Sequence, residues 1–143
     1  MTEDAAKPYL VGLGEIQQDA AKLLFYSLPR DGWTTCVLHY REAGPVIEVV
    51  AHITDSSGNV EPVEPPMALI DAMEALRKYM ADQGNGVWLS AALKLENGRY
   101  EFDFNYTKRA DWQLPPTDEA YIDDLTRFPR PDDQIPDWYP RKA

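Results

Sequence analysis

The stretch Val87-Trp88-Leu89-Ser90-Ala91-Ala92-Leu93-Lys94-Leu95-Glu96-Asn97-Gly98-Arg99-Tyr100-Glu101-Phe102-Asp103-Phe104-Asn105-Tyr106 decides the fold class. In its first half Val87, Leu89, Ala91, Leu93 and Leu95 recur at every second position, the period of a strand with one buried face. Asn97-Gly98 follows, the pair that best tolerates the positive φ angles of a two-residue hairpin turn. On the return, Tyr100, Phe102, Phe104 and Tyr106 alternate with Glu101, Asp103 and Asn105. The pattern predicts an antiparallel hairpin with an aromatic face toward a core and an acidic face toward water.

Working outward, Gly84-Asn85-Gly86 stops a helix predicted from Met67 to about Gln83, opened by Pro65-Pro66. Its buried stripe is Leu69, Met73, Leu76 and Met80. Upstream, Trp33–Arg41 and Val46–Thr54 read as strands joined at Ala43-Gly44-Pro45, a first hairpin. Ile47, Val49, Ala51 and Ile53 share one face of the second strand, and Glu48 and His52 lie on the other. Val60–Val63 is interrupted by Pro62, which restricts it to an edge strand or a loop. Leu10–Leu28 is an amphipathic helix carrying Leu13, Ile16, Ala20, Leu23 and Leu24, and residues 1–9 are expected to be flexible.

Downstream the texture changes, with six of the 12 prolines between Pro115 and Pro140. Thr117 is placed to cap a short helix, Asp118–Arg127, with Tyr121, Ile122 and Leu125 turned inward. Residues 111–143 are expected to wrap the body as this helix plus an extended Pro-rich C-terminal tail, pinned by Phe128, Ile135, Trp138 and Tyr139. The reading is one α+β domain over residues 1–143: an antiparallel β-sheet of four or more strands in two hairpins, with helices packed on one face.

A 143-residue chain buries roughly 68–70% of its unfolded surface, enough to fold without covalent staples. Cys36 is the only cysteine, so neither an internal disulfide nor a thiolate zinc cluster is available. The acidic start, Met1-Thr2-Glu3-Asp4, is unlike a secretory leader, and no apolar run is long enough for a membrane span. A cytoplasmic protein is expected. Net charge is −10, from 24 acidic and 14 basic side chains, a field that repels nucleic-acid phosphates.

Catalytic patterns are sparse. His39 and His52 sit in adjacent predicted strands without an evident third ligand. Glu48 shares a strand face with His52, but four strand residues span ~13 Å, too far for a shared metal. Cys36 falls on the opposite face from His39. The chain lacks a nucleophile elbow, a phosphate-binding glycine loop and a His-Glu-x-x-His pattern. Asp123-Asp124 and Asp132-Asp133 are adjacent carboxylates that read as solvated. No catalytic, cofactor-binding or metal-ligating residue is assigned, and no cofactor is expected.

What does stand out is an acidic C-terminal segment threaded with aromatics. From Asp111 to Trp138 there are eight acidic residues against Arg127 and Arg130, a net −6, the same net charge as residues 1–110 spread over a much longer stretch. Acidity alone also serves solubility. Acids that steer and aromatics that anchor nevertheless make a protein-binding surface. The candidate contact residues are Glu101, Asp103, Asn105, Asp111, Trp112, Asp118, Glu119, Asp123 and Asp124, with Trp112 as anchoring aromatic.

Trp88-x5-Lys94-Leu95-x2-Gly98-x-Tyr100-Glu101-Phe102-Asp103-Phe104-Asn105-Tyr106 resembles the signature of the YezG-like immunity (antitoxin) proteins of bacterial polymorphic toxin systems. Pro115-Pro116, Tyr121, Asp124-Leu125 and Phe128-Pro129-Arg130 resemble the C-terminal segment of some actinobacterial members. The resemblance implies a small cytoplasmic α+β protein that binds and blocks a cognate toxin, often a basic nuclease, and that is not an enzyme. The competing expectation is a small-ligand-binding or hydrolytic domain with a cleft near His39 and His52.

Overall fold

The hairpin forms in the predicted register. The computed structural model describes residues 8–81 and 86–141, and in chain order they build α1 (Tyr9–Ser27), β1 (Thr35–Ala43), β2 (Val46–Thr54), β3 (Val60–Val63), α2 (Met67–Ala81), β4 (Ser90–Glu96), β5 (Arg99–Asn105) and α3 (Asp118–Arg127), with a 3₁₀ turn at Asp132–Gln134. Asn97 and Gly98 both take positive φ, 52° and 74°, as a two-residue turn matched to right-handed strand twist requires.

The five strands form one antiparallel sheet in the order β3-β2-β1-β4-β5. Pairing the two hairpins through β1 and β4 aligns Cys36 with Leu95, Leu38 with Leu93 and Tyr40 with Ala91, then Leu95 with Tyr100, Leu93 with Phe102 and Ala91 with Phe104. These residues share the inner face, where α1 and α2 supply Ala20, Leu24, Leu69, Met73 and Leu76. Each fully buried Leu or Met contributes roughly 1.5–3 kcal/mol by leaving water. Gly12 is buried where α1 meets α2, and a β-carbon there would run into the Tyr79 hydroxyl.

Three local expectations change, and a fourth is not reached. The predicted flexibility of residues 1–9 fails at Tyr9, which opens α1, stacks on Tyr79 with ring centroids 5.1 Å apart and accepts that residue's hydroxyl through its carbonyl; residues 1–7 lie outside the described residues. β1 starts two residues later than predicted, because Trp33 instead donates from Nε1 to the Pro29 carbonyl at 2.8 Å and packs against Phe25. The last residues predicted for α2, and Gly84-Asn85, also lie outside the described residues. Finally, Phe102 and Phe104 are only half-buried, since β5 is an edge strand. Phe104→Ala is accordingly expected to cost about 2 kcal/mol rather than the 3–5 of a fully buried aromatic, measurable by urea denaturation.

Candidate functional site

The C-terminal segment gathers at the end of the sheet that holds the β1–β2 turn. There Ala43, Leu89, Trp112, Tyr121 and Tyr139 form a second, smaller core, joined by Val46, Leu125, Ile135 and Trp138. Thr117 caps α3 by accepting the Ala120 amide at 3.3 Å. The Tyr139 hydroxyl donates to the Tyr121 carbonyl, and Trp138 Nε1 donates to that of Thr107. Arg109 lies over the rings of Tyr121 and Trp138, and Arg130 donates to the carbonyls of Val87, Tyr106 and Gln134.

Trp112 is therefore corrected as an anchor: at 9% exposure it packs in this second core. The structural consequence is that Trp112→Ala should lower stability by about 3 kcal/mol and speed amide exchange in α3 before the main sheet opens. An unchanged melting temperature in calorimetry would contradict that placement.

Asp124 is corrected more sharply. Expected at the surface, it is 3% exposed and holds the guanidinium of Arg77, itself 0% exposed, through bonds of 2.6 and 2.8 Å. The same carboxylate accepts the Gly44 amide at 2.9 Å. Arg77 further donates Nε to the Trp88 carbonyl at 2.9 Å and Nη1 to Glu42 at 3.2 Å, and Glu42 accepts the Tyr40 hydroxyl at 2.6 Å. Trp88 and Phe128 bracket the guanidinium. This network joins β1, α2, the start of the second hairpin and α3. One signal pointed to it: Arg77 adjoins Leu76 and lies four residues after Met73, inside the buried stripe of α2.

Two carboxylates share one cation, and burial raises the Glu42 pKa despite the attraction of Arg77. Protonating Glu42 is thus favoured in the folded state, so its contribution to stability is complete below its unfolded pKa and is lost as pH rises through the folded value. Glu42→Gln has no such loss. Its stability relative to the parent should improve between pH 4 and pH 7, as denaturant titrations at the two pH values would read.

The remaining predicted contact residues fall into separate places. Glu101 and Asp103 are exposed on the outer sheet face, but that face is mixed rather than acidic: Lys94 stands across from Glu101 and Arg99 across from Glu96. Asn105 acts within the chain. Its Nδ2 donates to Ser90 Oγ and to the Lys108 carbonyl at 3.1 and 2.7 Å, while Oδ1 accepts the amides of Thr107 and Lys108, closing the turn that ends β5. Asp111, Asp118 and Glu119 are exposed, and Asp123 pairs with Arg127 at 2.8 Å.

An open groove of about 610 Å³ crosses the outer face, with His39, Arg41, Asp103, Lys108, Arg109 and Asp111 in its lining. Arg41 is held by Glu48 at 3.0 Å, and Glu48 also accepts the amides of Gln113 and Leu114 where the chain crosses the sheet. His39 and His52 are diagonal neighbours, with His39 opposite Val50 and ring centroids 6.3 Å apart. His52 is not part of the groove lining. Burial, Arg41 and His52 all lower the His39 pKa. Cys36 is fully buried on the opposite face, its thiol pushed up to about 11 by desolvation, the reverse of an activated nucleophile. Among the described residues there is no group of three or more metal-ligating side chains, and no helix long and apolar enough to cross a membrane.

A scan against protein-family models finds no match. A search of curated proteins finds none either. What distinguishes the site is then its electrostatics. Both basic residues of the 111–138 segment are engaged within the fold, Arg127 by Asp123 and Arg130 by backbone carbonyls, while Asp111, Asp118, Glu119, Asp132, Asp133 and Asp137 stay exposed.

Proposed function

We propose that this chain is an immunity-type protein that binds and neutralises a cognate toxin of basic character, a nuclease being the effector class that fits best. The observation that carries the reading is the segment of six exposed carboxylates whose two arginines are engaged within the fold. A nuclease presents cations to hold phosphates, and an acidic surface complements them. The likeness of the Trp88–Tyr106 stretch to YezG-like immunity proteins supports the same assignment. Such a protein acts in the cytoplasm, by occupancy rather than by chemistry, without binding nucleic acid itself. A hydrolytic cleft at the two histidines is the weaker reading, because the groove is open and takes His39 without His52.

Co-expression with the product of the adjacent open reading frame tests the proposal: that product should be toxic alone, harmless together with this chain, and should co-purify with it. Neutralising Asp111, Asp118 and Glu119 together is expected to slow association about tenfold at low salt and to flatten its salt dependence. The fold should be untouched, since all three are exposed. A triple variant that associates as fast as the parent would leave the acidity serving solubility alone.

A further inference from the structure

The two edges of the sheet are built differently. β3 is four residues long and carries Pro62, two devices that blunt an edge. β5 is seven residues long, contains no proline, and pairs with β4 residue for residue from Arg99 to Asn105 without a bulge. Among the described residues no strand pairs with its other side. A strand without a bulge and with an unpaired row of amides and carbonyls is a template for another strand.

Its side chains say which strand. On the inner face Tyr100, Phe102 and Phe104 form a continuous ladder, with centroids 6.1 and 5.6 Å apart. Phe102 and Phe104 are half-buried and Tyr100 is 41% exposed. Beside Tyr100 an apolar groove of about 280 Å³ opens between the hairpin and α1, walled by Phe25, Tyr26 and Trp33. On the outer face Arg99, Glu101 and Asp103 are exposed, the two acids following one another along the strand.

We infer that β5 is the docking edge of this protein, and that its occupant is an extended segment of the partner in which apolar residues alternate with lysine or arginine. The apolar residues continue the aromatic ladder and the bases face Glu101 and Asp103 across the new strand pair. A second copy of this chain is the poorer occupant. Antiparallel β5–β5 pairing centred on Phe102, the register with full overlap, sets Glu101 opposite Asp103 twice, and pairing centred on Asp103 sets that acid opposite itself. Pairing centred on Glu101 matches Asp103 with Arg99 but sets Glu101 opposite itself and shortens the overlap. The inference rests on the immunity reading for the partner's identity, and it places the contact on the sheet edge in addition to the steering acids of the C-terminal segment.

The test uses the full chain and three labelled synthetic peptides: alternating valine and lysine, the same composition with the alternation scrambled, and alternating valine and glutamate. Fluorescence anisotropy should show the valine-lysine peptide binding at least about tenfold more tightly than either other, with amide exchange slowed in β5. Glu101→Lys with Asp103→Lys should reverse the preference toward the glutamate peptide. N-methylation of alternate peptide amides should abolish binding. Equal binding of the scrambled peptide overturns the inference, as does absence of binding to about 1 mM or protection away from β5. Dimerisation of the chain with protection of β5 would assign the edge to a second copy and equally overturn it. A toxin that co-purifies unaffected by the double lysine variant, leaving β5 exchange unchanged, removes the docking edge and keeps the immunity reading. Peptide binding at β5 with no toxic neighbour does the opposite.

Discussion

Arg77→Met should destabilise the protein by about 3–5 kcal/mol, the range for removing one partner of a buried ion pair. Methionine approximates the volume of the arginine stem, so the loss is electrostatic rather than a cavity. It leaves Glu42 and Asp124, 5% and 3% exposed, without their shared cation, and it leaves the Trp88 carbonyl without its donor. Without the cation, the Glu42 pKa, already raised by burial, rises further. A raised carboxyl pKa contributes stability at low pH that is lost as pH increases, and the deficit should therefore be larger at pH 8 than at pH 5. Adding Asp124→Leu and Glu42→Gln should recover much of the loss, because apolar or neutral replacement removes the desolvation cost that a broken pair exposes. Urea denaturation at both pH values reads all of this. A single variant within about 1 kcal/mol of the parent at either pH would mean that the network is solvated and that Asp124 does not tie α3 to the body.

Gly44→Ala should cost about 2–5 kcal/mol, combining a left-handed backbone with overpacking. Gly44 has φ of 58° in the β1–β2 turn, and a β-carbon there would stand 2.6 Å from the Ala120 carbonyl oxygen and 2.9 Å from Asp123 Oδ2. The neighbour is helix backbone, which cannot swing aside as a side chain would. Its amide also donates to Asp124, so any shift of the turn loosens that bond. Gly98→Ala provides the comparison: φ is 74°, yet nothing lies within 4 Å of the added atom, so only the backbone cost of about 1–2 kcal/mol applies. Thermal denaturation of the two variants separates conformational strain from close approach. Equal losses would show that α3 does not press on the turn.

Sequence alone determined the features that depend on neighbours along the chain. The alternation of Ala91 to Leu95 and of Tyr100 to Phe104 set the faces of the second hairpin, and Asn97-Gly98 set its turn, because side-chain period and positive φ are local properties. Thr117 located the start of α3, and both ends of that helix, Asp118 and Arg127, match the reading, since a cap is satisfied within its own first turn. Pro62 restricted Val60–Val63 to an edge strand or a loop for the same reason, since a missing amide needs no partner to be recognised, and the sheet takes it as its edge. The tertiary structure decided what depends on distant residues. Asp124 looked like one more solvated acid until α2 brought Arg77, 47 positions away in sequence, within 2.6 Å of it. Trp112 took its place in a core assembled from the β1–β2 turn, α3 and Tyr139. Burial of a charge is settled by whether another element delivers a counter-charge at hydrogen-bond distance, and neither period nor composition carries that information. The exposure of β5 has the same origin. Its pattern is that of any half-buried strand, and only the pairing of β1 with β4 leaves it at the edge.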